Sequence, residues 1–129
     1  MTHVNNERHD PDCIFCKIAR GELDTEFVYQ NDRIAAFKDM NPQAKHHVLI
    51  VPINHYADIS ELAQASTDNG DAQEDWQALL DSIPFVADEL GVGSEGYRII
   101  NNCGAGAGQS VFHLHVHFLS DEKLAERLV

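Results

Sequence analysis

Three histidines alternate with apolar residues in one short run of this chain, His113-Leu114-His115-Val116-His117. Side chains on a β-strand alternate between its two faces, so the three imidazoles would lie on one face and the apolar residues on the other. Each imidazole carries polar nitrogens that need partners when buried, so three in a row are poorly explained by packing. The run therefore indicates chemistry on one face of a strand.

Two kinds of chemistry fit this spacing. Neighbouring positions on one face of a strand are about 6 to 7 Å apart, so two imidazoles could share a metal ion, whereas three would need a bent strand. Alternatively, one imidazole attacks a phosphorus atom while a neighbour donates a proton to the leaving group, which needs no distortion. The spacing favours the second kind, and a metal site that uses all three histidines is the second choice.

A glycine-rich segment leads directly into the histidines. Gly104, Gly106 and Gly108 allow backbone conformations in which consecutive N–H groups face one anion. Gln109 and Ser110 add side-chain donors beside the histidines. A flexible hairpin loop would have the same composition, so the glycines indicate an anion site only in combination with the run that follows.

The charge of the chain limits its partners. Nine Lys and Arg against 21 Asp and Glu give a formal net charge of −12, which opposes attraction to a nucleic acid polymer or an anionic membrane. A small anionic ligand held by a local loop stays compatible with that charge. No apolar run approaches the roughly 20 residues that span a bilayer, and the first residues are polar, so we expect a cytoplasmic protein.

The elements that position these residues should form an α+β domain with a five-stranded antiparallel sheet. We predict a flexible tail at 1–12, one domain at 13–129, and strands at 26–30, 33–38, 46–51, 97–101 and 111–119. Asp12 should cap a short helix at 13–20, a brief helix should follow at 59–65, and a longer amphipathic helix at 72–90 should kink at Pro84. The residues at 121–129 should form a short charged helix or fray.

The sequence resembles the histidine triad (HIT) family of nucleotide hydrolases and transferases, whose H-φ-H-φ-H-φ-φ signature is matched throughout 113–119. Further similar segments lie at 13–18, 37–39, 41–44, 47–52 and 108–112. Within the family the chain looks most like the Hint branch of nucleoside phosphoramidases. This resemblance implies a HIT-like fold, a homodimer, and removal of an amine or acyl group from an AMP-type phosphate on a purine nucleotide.

The same resemblance implies a role for each matched position. His115 would be the nucleophile that forms a nucleotidyl-imidazole intermediate, with His47 completing the histidine cluster. Around the phosphate the resemblance implies His117, Ser110 and Asn102, beside the donor Gln109. Asp39 would bind the ribose hydroxyls. The base pocket would be lined by Ile14, Phe15, Ile18 and Phe37, whose residue types fit a hydrophobic core equally well.

Cys13 and Cys16 form a Cys-x-x-Cys pair, which in a reducing compartment suits a metal or a redox couple better than a structural disulfide. A bacterial-type subset of the resembled family carries this pair and binds zinc. The resemblance implies a structural zinc held by Cys13, Cys16, His55 and His113, a closed set with two sulfur and two nitrogen ligands. The alternative is a pair of reduced free cysteines, and Cys103 is expected to be a small half-buried residue.

Two alternative functions stay open on the sequence. One is a hydrolase of dinucleoside polyphosphates within the same family, and the other is a zinc-stabilised nucleotide-binding protein with little catalysis. The leaving group, the physiological substrate and the choice between adenine and guanine lie outside the matched motifs.

Overall fold

The computed structural model describes residues 8–124 and confirms the α+β architecture with a five-stranded antiparallel sheet. The strands are β1 (Phe27–Gln30), β2 (Ile34–Lys38), β3 (His46–Pro52), β4 (Arg98–Ile100) and β5 (Val116–Ser120). The helices are α1 (Ile14–Ala19), α2 (Ile59–Ser66) and α3 (Gly70–Leu90), with a short 3₁₀ turn at Ala105–Ala107. The spatial order of the strands is β1-β2-β3-β5-β4.

Strand β3 lies at the centre of the sheet and is buried from its second residue onward. Its side chains alternate between two separate core clusters. Val48 and Ile50 pack with α3 on one face, whereas Leu49 and Val51 pack with residues of α1 on the other. The sheet is therefore covered on both faces, and α1 lies on the face that will carry the histidines.

Helix α3 begins at Gly70, two residues before the predicted start, because Asn69 caps it by accepting the backbone N–H of Asp71. It continues through Pro84 to Leu90 without a break. Proline lacks the N–H that would bond the carbonyl of Leu80, and Leu80 lies on the exposed face, where water can satisfy that carbonyl. The apolar face of the helix therefore stays continuous on the sheet.

The starts of α1 and β5 also differ from the prediction. Cys13 rather than Asp12 caps α1, because the Cys13 Sγ accepts the backbone N–H of Cys16 at 3.4 Å. Strand β5 begins at Val116, five residues later than predicted, because the preceding segment bonds elsewhere: the Leu114 N–H donates to the Tyr56 carbonyl at 2.7 Å. The first two histidines of the run therefore lie before the regular strand.

The two ends of the described chain differ from their predicted forms. Arg8, within the predicted tail, contacts the domain: its carbonyl accepts the N–H of His55, and its guanidinium lies 4.2 Å from the centre of the Tyr56 ring. Residues 121–124 are not helical, and the rest of the predicted terminal helix, like residues 1–7, lies outside the described residues. Among residues 8–124, none of the helices is both long and apolar enough to cross a membrane.

Candidate active site and neighbouring metal centre

The four predicted metal ligands come together from three parts of the chain. The sulfur atoms of Cys13 and Cys16 and one nitrogen each of His55 and His113 all lie within 4.8 Å of one another. The two Nδ1 atoms are 3.2 Å apart, and the Cys16 Sγ is 3.4 Å from each. A tetrahedral zinc with ordinary bond lengths needs about 3.3 Å between two nitrogens and about 3.6 Å between nitrogen and sulfur. The spacing of these donors therefore fits a tetrahedral ion.

The surroundings hold His113 in the form that can bind a metal. Its Nε2 donates to the Pro52 carbonyl at 2.7 Å, so Nδ1 presents its lone pair to the cluster. Burial, opposed by that hydrogen bond, lowers the pKa of His113 to about 3, which keeps the ring neutral. Burial also raises the pKa of the Cys16 thiol to about 11, so a thiolate there calls for a cation in the cluster.

His115 is buried beside this cluster and has a defined tautomer. Its Nδ1 lies 2.8 Å from the carbonyl oxygen of His113 and must donate to it, since a carbonyl can only accept. In the neutral ring the opposite nitrogen, Nε2, consequently keeps an unshared electron pair. The Phe15 ring packs edge-on against the imidazole, with the two ring centroids 5.1 Å apart, and restricts its rotation. The backbone of a predicted metal ligand thus orients the predicted nucleophile.

His47 and His117 form a hydrogen-bonded pair with a deducible proton pattern. The backbone N–H of Gln43 donates to the His47 Nδ1 at 3.0 Å, so the proton of neutral His47 sits on Nε2 and is donated to the His117 Nδ1 at 2.9 Å. Neutral His117 then carries its own proton on Nε2. Burial, with further repulsion from His115 and His47, lowers the pKa of His117 to about 4, and burial also lowers that of His47. With both rings neutral, the site therefore offers one lone pair at His115 and one N–H at His117.

Asp39 completes a second group of possible ligands with this pair, because its carboxylate and the two imidazoles lie within 4.8 Å of one another. The Asp39 Oδ2 is 3.4 Å from the His47 Nε2. A cation bound there would have to replace the proton that the Gln43 contact places on that nitrogen. The hydrogen-bond pattern therefore favours a proton network over a metal site.

A cavity of about 300 Å³ opens over His115 and His117. Its walls include the predicted ribose and phosphate residues Asp39 and Ser110 and all four predicted base-pocket residues, Ile14, Phe15, Ile18 and Phe37. A volume of this size is at the lower end of small-molecule sites. The cavity thus joins most of the predicted substrate residues to the histidines.

The same cavity has walls that the sequence did not single out. They are Thr25, Lys38, Met40, Leu49 and Val111. Lys38 and Met40 flank Asp39 in the sequence, which was the available signal for them. Met40 is fully exposed at the mouth, so it can contact a ligand without contributing to the core.

Two predicted substrate residues stand apart from the cavity walls. Gln109 is buried, and its amide donates to the carbonyls of Ala57 and Val111 and accepts the N–H of Gly104. Gln109 thereby fixes the loop that carries Ser110. The contact of Gln109 with a substrate stays a prediction. Asn102 lies beside Gly108 in the same loop rather than in the cavity wall. Cys103 is exposed, which corrects the half-buried position expected for it, because its loop lies on the surface.

Comparison with known proteins gives concordant matches. Residues 20–124 match the model of the HIT domain. An uncharacterized HIT-like protein from Azospirillum brasilense is 35% identical over 116 residues, which cover 90% of this chain and 91% of the relative. Protein HitA from Neisseria gonorrhoeae is 36% identical over 107 residues, covering 83% and 94%.

Solved structures agree with the fold at higher identity. A HIT family hydrolase from Clostridium thermocellum superposes with a TM-score of 0.82 at 38% identity, covering 93% of this chain and 99% of that one. A histidine triad protein from Clostridium difficile superposes with a TM-score of 0.81 at 40% identity, covering 92% and 97%.

Proposed function

This chain belongs to the HIT family, and on that premise we propose that it cleaves a bond to the α-phosphate of a purine nucleotide, as a hydrolase or transferase. The favoured substrates are an AMP-type phosphoramidate and an acyl-adenylate. The observation that carries the proposal is the hydrogen bond from the His115 Nδ1 to the His113 carbonyl. Because of it, the Nε2 of the neutral ring is the free nitrogen beside a cavity lined by apolar side chains and the Asp39 carboxylate.

The proposed reaction uses the proton pattern of the site. The His115 Nε2 attacks the α-phosphorus, the bond from phosphorus to the amine or acyl oxygen breaks, and a nucleotidyl-histidine forms. An anionic phosphate beside His117 favours the protonated imidazolium, which donates a proton to the departing amine. Water then attacks phosphorus, releases AMP and free His115, and returns the proton, so one water is consumed per turnover.

In the proposed complex, the phosphate, the ribose and the base each contact different side chains of the cavity. Ser110 and His117 supply O–H and N–H donors for the phosphate oxygens. Asp39 accepts hydrogen bonds from the ribose hydroxyls, for which a carboxylate is well suited. The purine lies against Ile14, Phe15, Ile18 and Phe37. The shared cavity supports this division, since all of these side chains line it.

A structural zinc is proposed for the Cys13, Cys16, His55 and His113 cluster. Two sulfurs and two nitrogens at tetrahedral spacing leave no open position for a substrate. Zinc there would hold α1 against the sheet and would keep His113 out of the reaction. Its chemical contribution is thus to stability and orientation.

A homodimer in the cytoplasm is the proposed state of the protein. In the part of the chain that the structure describes, β4 pairs with β5 on one side only, and its residues Ile99 and Ile100 are exposed. A second copy placed against this strand would extend the sheet and cover both isoleucines. Neither a nucleic acid polymer nor a membrane is proposed as a partner.

The test of the reaction is release of AMP from an adenosine phosphoramidate by wild type and His115→Ala. We expect the substitution to lower turnover at least about a thousandfold while the fold survives. His46→Ala is the matched control, because His46 precedes His47 on β3 and points to the opposite face. Rapid-quench mass spectrometry of the wild type should detect the nucleotidyl adduct.

Each other outcome has a defined meaning. Unchanged turnover in His115→Ala would refute the assignment of the nucleophile. Tight AMP binding with no adduct and no turnover would favour a non-catalytic nucleotide-binding protein. A rate on dinucleoside polyphosphates above that on phosphoramidates would instead favour the polyphosphate hydrolase.

A further inference from the structure

A buried carboxylate lies on α3, away from the cavity. Asp75 is 1% exposed. Its Oδ1 accepts from the Arg33 Nη1 at 2.8 Å, and its Oδ2 accepts from the Asn54 Nδ2 at 2.9 Å and the Tyr56 hydroxyl at 2.7 Å. Burying a charge is costly unless it is paired and hydrogen-bonded, and this one is both. None of these four residues takes part in the reaction proposed above.

The two uncharged partners of Asp75 are the sequence neighbours of a proposed metal ligand. Asn54 and Tyr56 flank His55, so the residues on both sides of the ligand are tied to one carboxylate. The backbone of His55 is also held, because its carbonyl accepts from the Arg8 Nη1 at 3.0 Å. The backbone that carries the His55 ring is thus held by contacts outside the metal cluster.

Tyr56 extends the same network to a second proposed ligand. Its carbonyl accepts the N–H of Leu114 at 2.7 Å, and Leu114 directly follows His113. Its side chain and that of Leu114 pack in one buried cluster with Leu62 and Ala72. Burial and the bond to Asp75 raise the pKa of the Tyr56 hydroxyl, which therefore stays a donor.

We propose that Asp75 is a positioning residue of the metal centre, which holds His55 through Asn54 and Tyr56, and His113 through the Tyr56 carbonyl. Arg33, which also pairs with Asp71 and Glu74, supplies the positive charge next to Asp75. The proposal rests on the metal site proposed above and extends it beyond the four ligands. Groups that hydrogen-bond a metal ligand directly commonly change metal affinity by about 10- to 100-fold. Asp75 acts through the residues next to the ligands, so we expect the lower end of that range.

Packing alone does not account for this carboxylate. Helix α3 already holds to the sheet through an apolar cluster that includes Leu79 and Val86. Apolar residues in place of the whole network would pack there without the cost of desolvating a charge, and such complete replacements often leave stability unchanged or raise it. A charged acceptor makes directional hydrogen bonds, which fix the positions of the Asn54 amide and the Tyr56 hydroxyl.

The test measures zinc affinity by competition with a chromophoric chelator, together with the absorption bands of the protein loaded with Co²⁺. Tyr56→Phe removes only the hydroxyl, and Asp75→Asn removes the charge. We expect each to weaken zinc binding about tenfold and to shift the Co²⁺ bands. Glu74→Gln is one control, since Glu74 bonds Arg33 but is itself exposed. Val86→Ala is the other, because it lowers stability from the same helix without touching the network.

The outcomes separate this inference from the metal site itself. An unchanged zinc affinity in Tyr56→Phe would overturn the positioning role. An equal loss of affinity in Val86→Ala would also overturn it, since the loss would then reflect general destabilisation. Should Asp75→Asn fail to fold, the comparison of Tyr56→Phe with Val86→Ala decides alone. A wild-type protein that binds neither Zn²⁺ nor Co²⁺ would refute the metal site, and the positioning role with it.

Discussion

Loss of one thiol from the Cys/His cluster should remove most of the stability that zinc confers. Helix α1 has only six residues, too few to be stable alone, and its buried side chains are Phe15, Cys16 and Ala19. Cys16 is fully buried, and its Sγ lies 3.4 Å from both histidine ligands. Cys16→Ser keeps the size of the side chain but replaces a soft thiolate ligand with a hydroxyl, which binds zinc poorly.

The magnitude follows from linkage between binding and folding. Zinc at about 1,000 times its dissociation constant stabilises the folded chain by about 4 kcal/mol. At roughly 2.1 cal/mol/K of unfolding entropy per residue, a chain of 129 residues has about 0.27 kcal/mol/K. The expected change in Tm is the ratio of the two, about 15 °C.

Scanning calorimetry with zinc or with excess chelator measures this change. The wild type should melt about 15 °C higher with zinc than with chelator, and Cys16→Ser should show little difference between the two. Cys103→Ser is the matched control, since Cys103 is exposed and does not belong to the cluster. A wild type with the same Tm in both buffers, or an equal loss in Cys103→Ser, would refute the reasoning.

Two further predictions concern the substrate and the pH. Asp39→Asn should raise KM about tenfold for an adenosine phosphoramidate, through loss of a charge-assisted hydrogen bond; an equal rise for the 2′,3′-dideoxy analogue would contradict the ribose contact. The metal-free protein should lose stability as the pH falls from about 6.5 toward 4, because the pKa of His117 is lowered to about 4 and that of His47 is lowered as well. In this pH range the unfolded chain binds protons that the folded chain does not. The free energy of unfolding therefore falls by up to about 1.4 kcal/mol per proton and pH unit, and by less where the ring is solvated. Urea midpoints at pH 7 and 5 measure this, and equal midpoints would speak against it.

Features that depend on short stretches of sequence were predictable. The apolar run at 46–51 predicts a covered central strand, and β3 occupies that place. The metal cluster was predicted through family resemblance, because its four donors fall at matched positions. Local periodicity and matched motifs carry this information, since neither depends on how distant segments meet.

Features that depend on distant contacts and lie outside the matched motifs were missed. Asp75 has the sequence context of an exposed helical residue, and only the fold brings Arg33, 42 residues away, against it. The late start of β5 has the same origin, because the Tyr56 carbonyl takes the N–H of Leu114 that a longer strand would have used. Alternation in the sequence predicts a strand wherever it occurs, but a competing hydrogen bond decides where the ladder begins.

The groups that set the tautomers of two site histidines belong to the main chain. A carbonyl of residue 113 orients His115, and the N–H of Gln43 orients His47. Alanine scanning leaves both groups in place, and so does natural drift at these positions, provided that the backbone path is kept. Proline at position 43 or an amide-to-ester exchange would remove the N–H. The proton pattern of this site therefore depends on the path of the backbone. A relative could keep every site residue and still lose this pattern, and its sequence would not reveal the change.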